Sequence, residues 1–81
     1  KFHYFDEGNT YVGQKTKDPG QGTLLRYLIK PDKENALLLA YSWTEDLCFE
    51  RAHEKQERQY PLSEEGLEQA VEWLESQYAA L

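Results

Sequence analysis

The sequence lacks the residues that would build a disulfide framework or a metal site. Its 81 residues include one cysteine, Cys48, and two histidines. A single thiol cannot close a disulfide within the chain, and no Cys-x-x-Cys pair, spaced histidine pair or acidic calcium loop occurs. These absences exclude a disulfide-stapled secreted module and predict a chain without metal or cofactor. We expect Cys48, between Leu47 and Phe49, to be a buried small hydrophobic residue.

Long hydrophobic runs and catalytic motifs are also missing. No apolar run approaches the ~20 residues that span a bilayer, and no signal-peptide pattern opens the chain. We therefore expect a cytoplasmic protein that does not contact a membrane. Because the chain starts at Lys1 and has no methionine, we expect a processed end, a trimmed chain or an excised domain. A nucleophile would need a cleft that so short a chain rarely builds, so we expect no enzyme.

Positive charge is missing from the last part of the chain. Residues 61–81 contain five glutamates and no lysine or arginine, whereas residues 1–46 carry a net charge of −1 and residues 47–60 are neutral. Nearly all of the net charge of −6 therefore lies in the last segment. Phosphate groups are bound by clustered cations, so this balance disfavours nucleic acid or anionic lipid as a partner.

The same acidic segment is predicted to form one helix over residues 63–81, with Ser63 as its N-cap. At about 100° per residue its side chains sort onto three sides. The apolar stripe comprises Leu67, Ala70, Val71, Leu74, Tyr78 and Leu81. The acidic flank comprises Glu64, Glu65, Glu68, Glu72 and Glu75. The uncharged flank comprises Gly66, Gln69, Trp73, Gln77 and Ala80.

Earlier in the chain, short apolar patterns predict strands. Residues 2–5 are one candidate, and residues 11–12 could begin a second after a turn at residues 6–9. The polar residues 13–22 are predicted to form a loop, with a turn at Asp18-Pro19-Gly20.

Two stronger strands follow, joined by a hairpin loop at residues 31–35. In residues 23–30 one face carries Leu25, Tyr27 and Ile29. In residues 36–43 one face carries Leu37, Leu39, Tyr41 and Trp43, and the other carries Ala36, Leu38, Ala40 and Ser42. Because both faces of the second strand are apolar, we predict a central position for it in the sheet.

Residues 44–60 admit two interpretations. One is a strand at residues 47–51, a polar turn at residues 53–56 and an extended segment into Tyr60. The other is a helix that starts at Thr44 as N-cap. We favour the strand, because almost nothing apolar follows Ala52 to hold a helix to a core.

Together these elements predict an α+β fold: a small antiparallel β-meander of three to five strands with one C-terminal α-helix packed on one face. Residues 1–81 are expected to form a single small domain. We expect the apolar stripe of the helix to meet the sheet face that bears Leu37 and Leu39.

The acidic flank has three interpretations. It could be a solvated face that favours solubility. It could form ion pairs with Arg51, Lys55 or Arg58 of the same domain. It could also be a docking surface for a basic partner, in which case Glu68, Glu72 and Glu75 would steer the association.

We predict a non-catalytic, intracellular protein-interaction or regulatory domain that presents its acidic flank to a protein with a basic surface. The expected partner-binding residues are Glu68, Glu72, Glu75 and Trp73. Trp73 is either a residue at the edge of the core or an interface anchor, whereas Trp43 is expected to lie in the core. Two alternatives remain: an acidic mimic or inhibitor of a nucleic-acid-binding protein, and a domain that forms a homodimer through an edge strand.

Overall fold

The computed structural model, which describes residues 2–18, 20–45 and 47–81, confirms the α+β meander with its C-terminal helix. The elements in chain order are α1 (Phe2–Asp6), β1 (Tyr11–Asp18), β2 (Thr23–Asp32), β3 (Leu37–Trp43), β4 (Gln56–Pro61) and α2 (Glu64–Ala79). The sheet order is β1-β2-β3-β4, and every neighbouring pair is antiparallel. β3 is therefore central, as predicted. The predicted turn at residues 18–20 includes Pro19, which lies outside the described residues.

The N-terminal segment is a helical turn, so the strand predicted at residues 2–5 is wrong. Phe2 and Phe5 are three residues apart, which places them on one side of a helix. Phe5 is buried in the core and Phe2 packs against it. Gly8 has a φ of 91° and its N–H donates to the Phe5 carbonyl at 2.8 Å, which ends the helix.

The predicted polar loop at residues 13–22 is also largely wrong, because β1 continues to Asp18. β1 pairs with β2 from Tyr11 opposite Ile29 to Asp18 opposite Thr23, with one irregularity near Asp18. As an edge strand it is exposed along most of its length. The polar sequence reflects that exposure, since edge strands commonly carry charged and polar residues.

The helix packs on the opposite face of β3 from the one we predicted. Leu38 and Ala40 belong to the cluster that contains Leu67, Ala70 and Leu74 of α2. The small side chains of Ala40 and its neighbour Ser42 leave room for the helix on this face, whereas bulky side chains occupy the other. The face expected to meet α2 through Leu37 and Leu39 therefore packs elsewhere.

On that other face, a second cluster is formed by Leu28, Trp43 and Ala52, with Tyr41 and Phe49 packed against it. Trp43 is thus a core residue, as predicted, and its indole N–H donates to the Leu47 carbonyl at 2.7 Å.

The segment between β3 and β4 covers this second cluster as an irregular loop. Among the residues of this segment that the structure describes, neither the strand predicted at residues 47–51 nor the alternative helix forms. A turn instead brings the N–H groups of Arg51 and Ala52 to the Cys48 carbonyl, each at 3.0 Å. Cys48 itself is exposed, so its predicted burial is wrong. The turn directs Phe49 and Ala52 into the cluster and leaves the thiol outside.

Candidate functional site: the two sides of the C-terminal helix

The start of α2 is fixed at Ser63 and Gly66. The N–H of Gly66 donates to the Ser63 side-chain oxygen at 3.1 Å, which confirms the predicted N-cap. Gly66 occupies the position where a capping box has glutamate or glutamine. A Cβ at Gly66 would overlap the carbonyl oxygen of Pro61, at the end of β4. Glycine therefore allows the helix to approach the β4 backbone more closely than any other residue would.

Two further residues of the uncharged flank, Trp73 and Gln77, also contact the sheet. The Arg58 guanidinium of β4 lies 5.4 Å from the centre of the Trp73 ring, within cation–π range. Farther along, the Ser42 hydroxyl lies 3.4 Å from the Gln77 amide oxygen, which accepts its hydrogen bond. We call this the β4 side of the helix. It is closed, because backbone and side chains of the sheet meet it directly.

The helix is consequently turned toward its uncharged flank. Its buried residues are Gly66, Leu67, Ala70 and Leu74. Gly66 was expected on a flank, and Val71, which was expected within the apolar stripe, is 42% exposed. The edge of the stripe that contains Val71 therefore extends past the part of the sheet that the helix covers.

An apolar groove opens on this opposite side, between α2, α1 and the β1–β2 strands. Its volume is about 790 Å³. It is lined by Tyr4, Phe5, Tyr11, Lys15, Leu25, Tyr27, Ile29, Leu67, Val71, Leu74, Glu75 and Tyr78. Tyr4 and Tyr11 are 44% and 47% exposed. We call this the β1 side of the helix, and it presents large apolar side chains to solvent.

The tyrosines of the groove are held in place by the strands and by α1. The Tyr4 hydroxyl donates to the Thr10 carbonyl at 2.8 Å, and the Tyr11 and Tyr27 rings lie 5.9 Å apart between centres. Burial, followed by a hydrogen bond with Tyr11, raises the pKa of Tyr27 above its ordinary value. Tyr27 crosses the neighbouring strand at Gly13, where a Cβ would overlap its hydroxyl group. These contacts fix the positions of the tyrosine side chains that line the groove.

Two lysines of β1 define the far end of the groove. The Lys15 and Lys17 amino groups lie 5.0 and 5.5 Å from the centre of the Tyr78 ring. Lys17 also donates to the carbonyl oxygens of Tyr78, Ala79 and Leu81 at 3.3, 3.2 and 2.9 Å. The helix has no basic residue in its own last turn, so β1 supplies the cation that its C-terminal carbonyls favour.

Four of the five glutamates of the acidic flank line the groove or the depression beside it, and we call this edge the acidic rim. Glu75 lines the groove itself, and a neighbouring depression of about 470 Å³ is lined by Phe2, Glu64, Leu67, Glu68, Val71 and Glu72. All five glutamates of the flank are exposed. Within residues 2–18, 20–45 and 47–81, no lysine, arginine or histidine lies within ion-pair distance of them.

The cations that the intradomain interpretation required have other contacts. Lys55 donates to the Phe49 carbonyl at 2.8 Å and its amino group lies 4.2 Å from the centre of the Phe49 ring. Arg58 lies over Trp73 and donates to the Glu57 carbonyl. Arg51 is exposed and also lies beyond ion-pair distance of the flank. For the residues that the structure describes, the interpretation in which Arg51, Lys55 or Arg58 neutralises the acidic flank is therefore wrong.

The structure separates the expected partner-binding residues into two groups. Glu75 lines the groove, and Glu68 and Glu72 line the depression next to it, so the three glutamates lie on the acidic rim. Trp73 is half-buried on the β4 side, against the core and under Arg58. The apolar residues beside the glutamates are instead Val71 and the groove tyrosines. Sequence reasoning missed them, although the tyrosine-rich N-terminal third of the chain was a signal for an aromatic surface.

Further polar contacts lie in the loop between β3 and β4, on the face of the sheet opposite α2. The Glu45 carboxylate accepts from the N–H groups of His53 and Glu54 at 2.7 and 2.9 Å, and its other oxygen lies 3.2 Å from His53 Nδ1. These hydrogen bonds, that of Glu54 foremost, hold the pKa of Glu45 below its ordinary value. This arrangement closes the loop between β3 and β4, which is a structural role.

In the part of the chain that the structure describes, no three His, Cys, Asp or Glu side chains are placed to hold a metal ion. No helix there has the length and apolar content needed to cross a membrane. No protein-family model, curated protein or solved structure matches the chain.

Proposed function

We propose that this chain is a non-catalytic protein-interaction domain that binds a basic partner along the acidic flank of α2. The observation that carries the proposal is the exposure of Glu68, Glu72 and Glu75 on one rim, with no ion pair to any described residue. A row of carboxylates without partners is complementary to a row of cations on another molecule.

The energetics of the helix support this proposal. Glutamates spaced four apart, as Glu64, Glu68 and Glu72 are, repel by about 0.2–0.5 kcal/mol per pair. Glu72 and Glu75 lie beyond the first turn, where the helix dipole no longer favours negative charge. A bound cationic surface would relieve this repulsion, and its attraction would weaken as salt screens the charges.

A labelled peptide of about 14 residues, made only of alanine and lysine, tests the proposal by fluorescence anisotropy at about 0.01 M salt, where the Debye length is about 30 Å. Neutralising the rim in E68Q/E72Q/E75Q should lower the affinity about tenfold, because three exposed ion pairs are lost.

The matched control is E34Q/E50Q/E54Q, which removes the same number of charges from exposed positions away from α2. It should bind nearly as the unchanged chain does. If both triple variants lose affinity equally, only net charge matters and the acidic flank is not a docking surface. If the unchanged chain does not bind the peptide at all, the proposal fails.

A homodimer through β1 is the second candidate, because β1 is an edge strand of eight residues whose outer backbone has no neighbouring strand among the described residues. Such an edge can pair with that of a second copy. Sedimentation equilibrium at two protein concentrations tests it: a mass that doubles with concentration supports the dimer, and a constant monomer mass excludes it over that range.

A further inference from the structure

We propose that the groove on the β1 side of α2 receives the apolar face of a basic amphipathic helix, whose cations lie along Glu68, Glu72 and Glu75. This inference rests on the proposed function, and it adds the chemistry of the partner: an apolar face and a basic face on the same helix.

The size and surface of the groove support an apolar occupant. Its volume of about 790 Å³ lies within the range of about 300–1,000 Å³ that is usual for small-molecule pockets, which is space for several apolar side chains of a partner. Its rim exposes Tyr4, Tyr11 and Val71, each more than 40% accessible. Exposed apolar side chains gathered around one groove, beside charged residues, are the surface that an apolar partner face would cover.

The charge around the groove selects a basic occupant. Val71 lines both the groove and the neighbouring acidic depression, so the apolar and acidic surfaces are continuous. The aromatic faces of Tyr4 and Tyr11 also attract cations. Among the described residues that line the groove, Lys15 is the one cation, and its amino group lies over the Tyr78 ring. Lys17, at the same end, donates to the last carbonyls of α2.

The spacing of the rim selects a helical occupant. Glu68, Glu72 and Glu75 follow the four- and three-residue steps of one helix face. A partner helix with lysines or arginines at the same steps would place several cations opposite them at once. Its apolar residues, one face further round, would then point into the groove, as in other helix-in-groove complexes.

The experiment compares two labelled peptides of equal length and equal lysine content, both at low salt. One combines lysine with leucine in an amphipathic helical order, and the other combines lysine with alanine. If leucine side chains enter the groove, the leucine peptide should bind at least about tenfold more tightly, since each buried leucine contributes strongly to affinity.

The matched variants are Val71→Ser and Val12→Ser. Val71 is on the groove wall, whereas Val12 is 61% exposed and pairs with Leu28, whose side chain lies in the cluster on the other face of the sheet. V71S should lower affinity for the leucine peptide several-fold and leave affinity for the alanine peptide unchanged. V12S should change neither. Thermal melts of both variants confirm that they remain folded.

The possible failures are distinguishable. Equal affinity for the two peptides, or equal effects of V71S and V12S, would overturn the groove proposal. The proposal that the acidic flank binds a basic partner would still stand. Failure of both peptides to bind would overturn both proposals. If the chain forms a dimer that V71S dissociates and that excludes the leucine peptide, a second copy covers the groove and the amphipathic-partner proposal is wrong.

Discussion

The two long sides of α2 differ in how the sheet meets them. On the β4 side, Gly66 lies against the Pro61 backbone and Trp73 lies under Arg58. On the β1 side, Val71 and the tyrosines border a groove of about 790 Å³. The helix is therefore anchored along one side, while the other side keeps apolar and acidic surface free. One helix in this way contributes to the core and still exposes a mixed apolar and acidic surface to solvent.

The largest change in the free energy of unfolding is expected for a substitution at Gly66, on the closed β4 side. Replacing glycine by alanine inside a helix ordinarily stabilises it by about 1 kcal/mol. Here the new Cβ would overlap the Pro61 carbonyl, so Gly66→Ala should destabilise the domain by about 2–4 kcal/mol. Urea unfolding measures the change. Gln69→Ala, at an exposed position of the same helix, is the control and should stay within about 0.5 kcal/mol; a neutral G66A would show that the β4 side is not tightly closed.

The next largest effect compares side chains on the two sides of the helix. Trp73→Ala removes a half-buried ring from the core and from Arg58, and should cost about 2–3 kcal/mol, somewhat less than a fully buried tryptophan. Val71→Ala, on the open side, should cost no more than about 0.5 kcal/mol. Thermal and urea unfolding of both variants measure the difference. Similar losses at the two positions would mean that the groove wall belongs to the core.

A smaller effect is expected where β1 contacts the end of the helix. Lys17→Ala removes the amino group that bonds three C-terminal carbonyls, and should cost about 0.5–1 kcal/mol. Lys33→Ala, in the exposed hairpin turn, removes the same charge and should have almost no effect. Equal melting temperatures for the two variants would show that Lys17 does not stabilise the helix end.

The smallest effect lies away from both sides of α2, on the loop-covered face. The pKa of Glu45 is lowered in the folded chain, so its carboxylate contributes stability above the ordinary pKa of a glutamate. That contribution is lost as the pH falls through the lower folded-state value. Glu45→Gln should flatten this part of the acid dependence of urea unfolding, whereas Glu50→Gln should not. An unchanged acid profile in E45Q would contradict the role of these hydrogen bonds.

The sequence predicted the helix and the central strand well because their patterns are local. Ser63 was recognised as the N-cap, and the pattern of β3 indicated burial on both faces. The sequence pattern did not reveal which face of β3 meets α2, because both faces are apolar. That choice follows from side-chain volume: small Ala40 permits the helix, and Tyr41 packs with the loop.

The candidate site was predicted only in part, for a similar reason. The glutamates Glu68, Glu72 and Glu75 share a face because of helical periodicity alone. The groove beside them depends on a long-range choice: close contact of Gly66 with Pro61 turns the helix toward β4 and leaves Tyr11 exposed near β1. No local pattern encodes that turn, so the groove residues Tyr11 and Val71 were missed as a surface beside the glutamates, whereas the position of Trp73 on the opposite flank follows from helical periodicity.

The most direct test of the open and closed sides is a two-dimensional amide NMR titration of the chain with the leucine–lysine peptide. We predict that the shifted signals belong to the β1 side, with Tyr11, Val71 and Glu75 among the largest changes. The indole N–H signals of Trp73, on the β4 side, and Trp43, on the other face of the sheet, should stay in place. Shifts centred on Trp73 and Arg58, with the β1 side unchanged, would contradict the account.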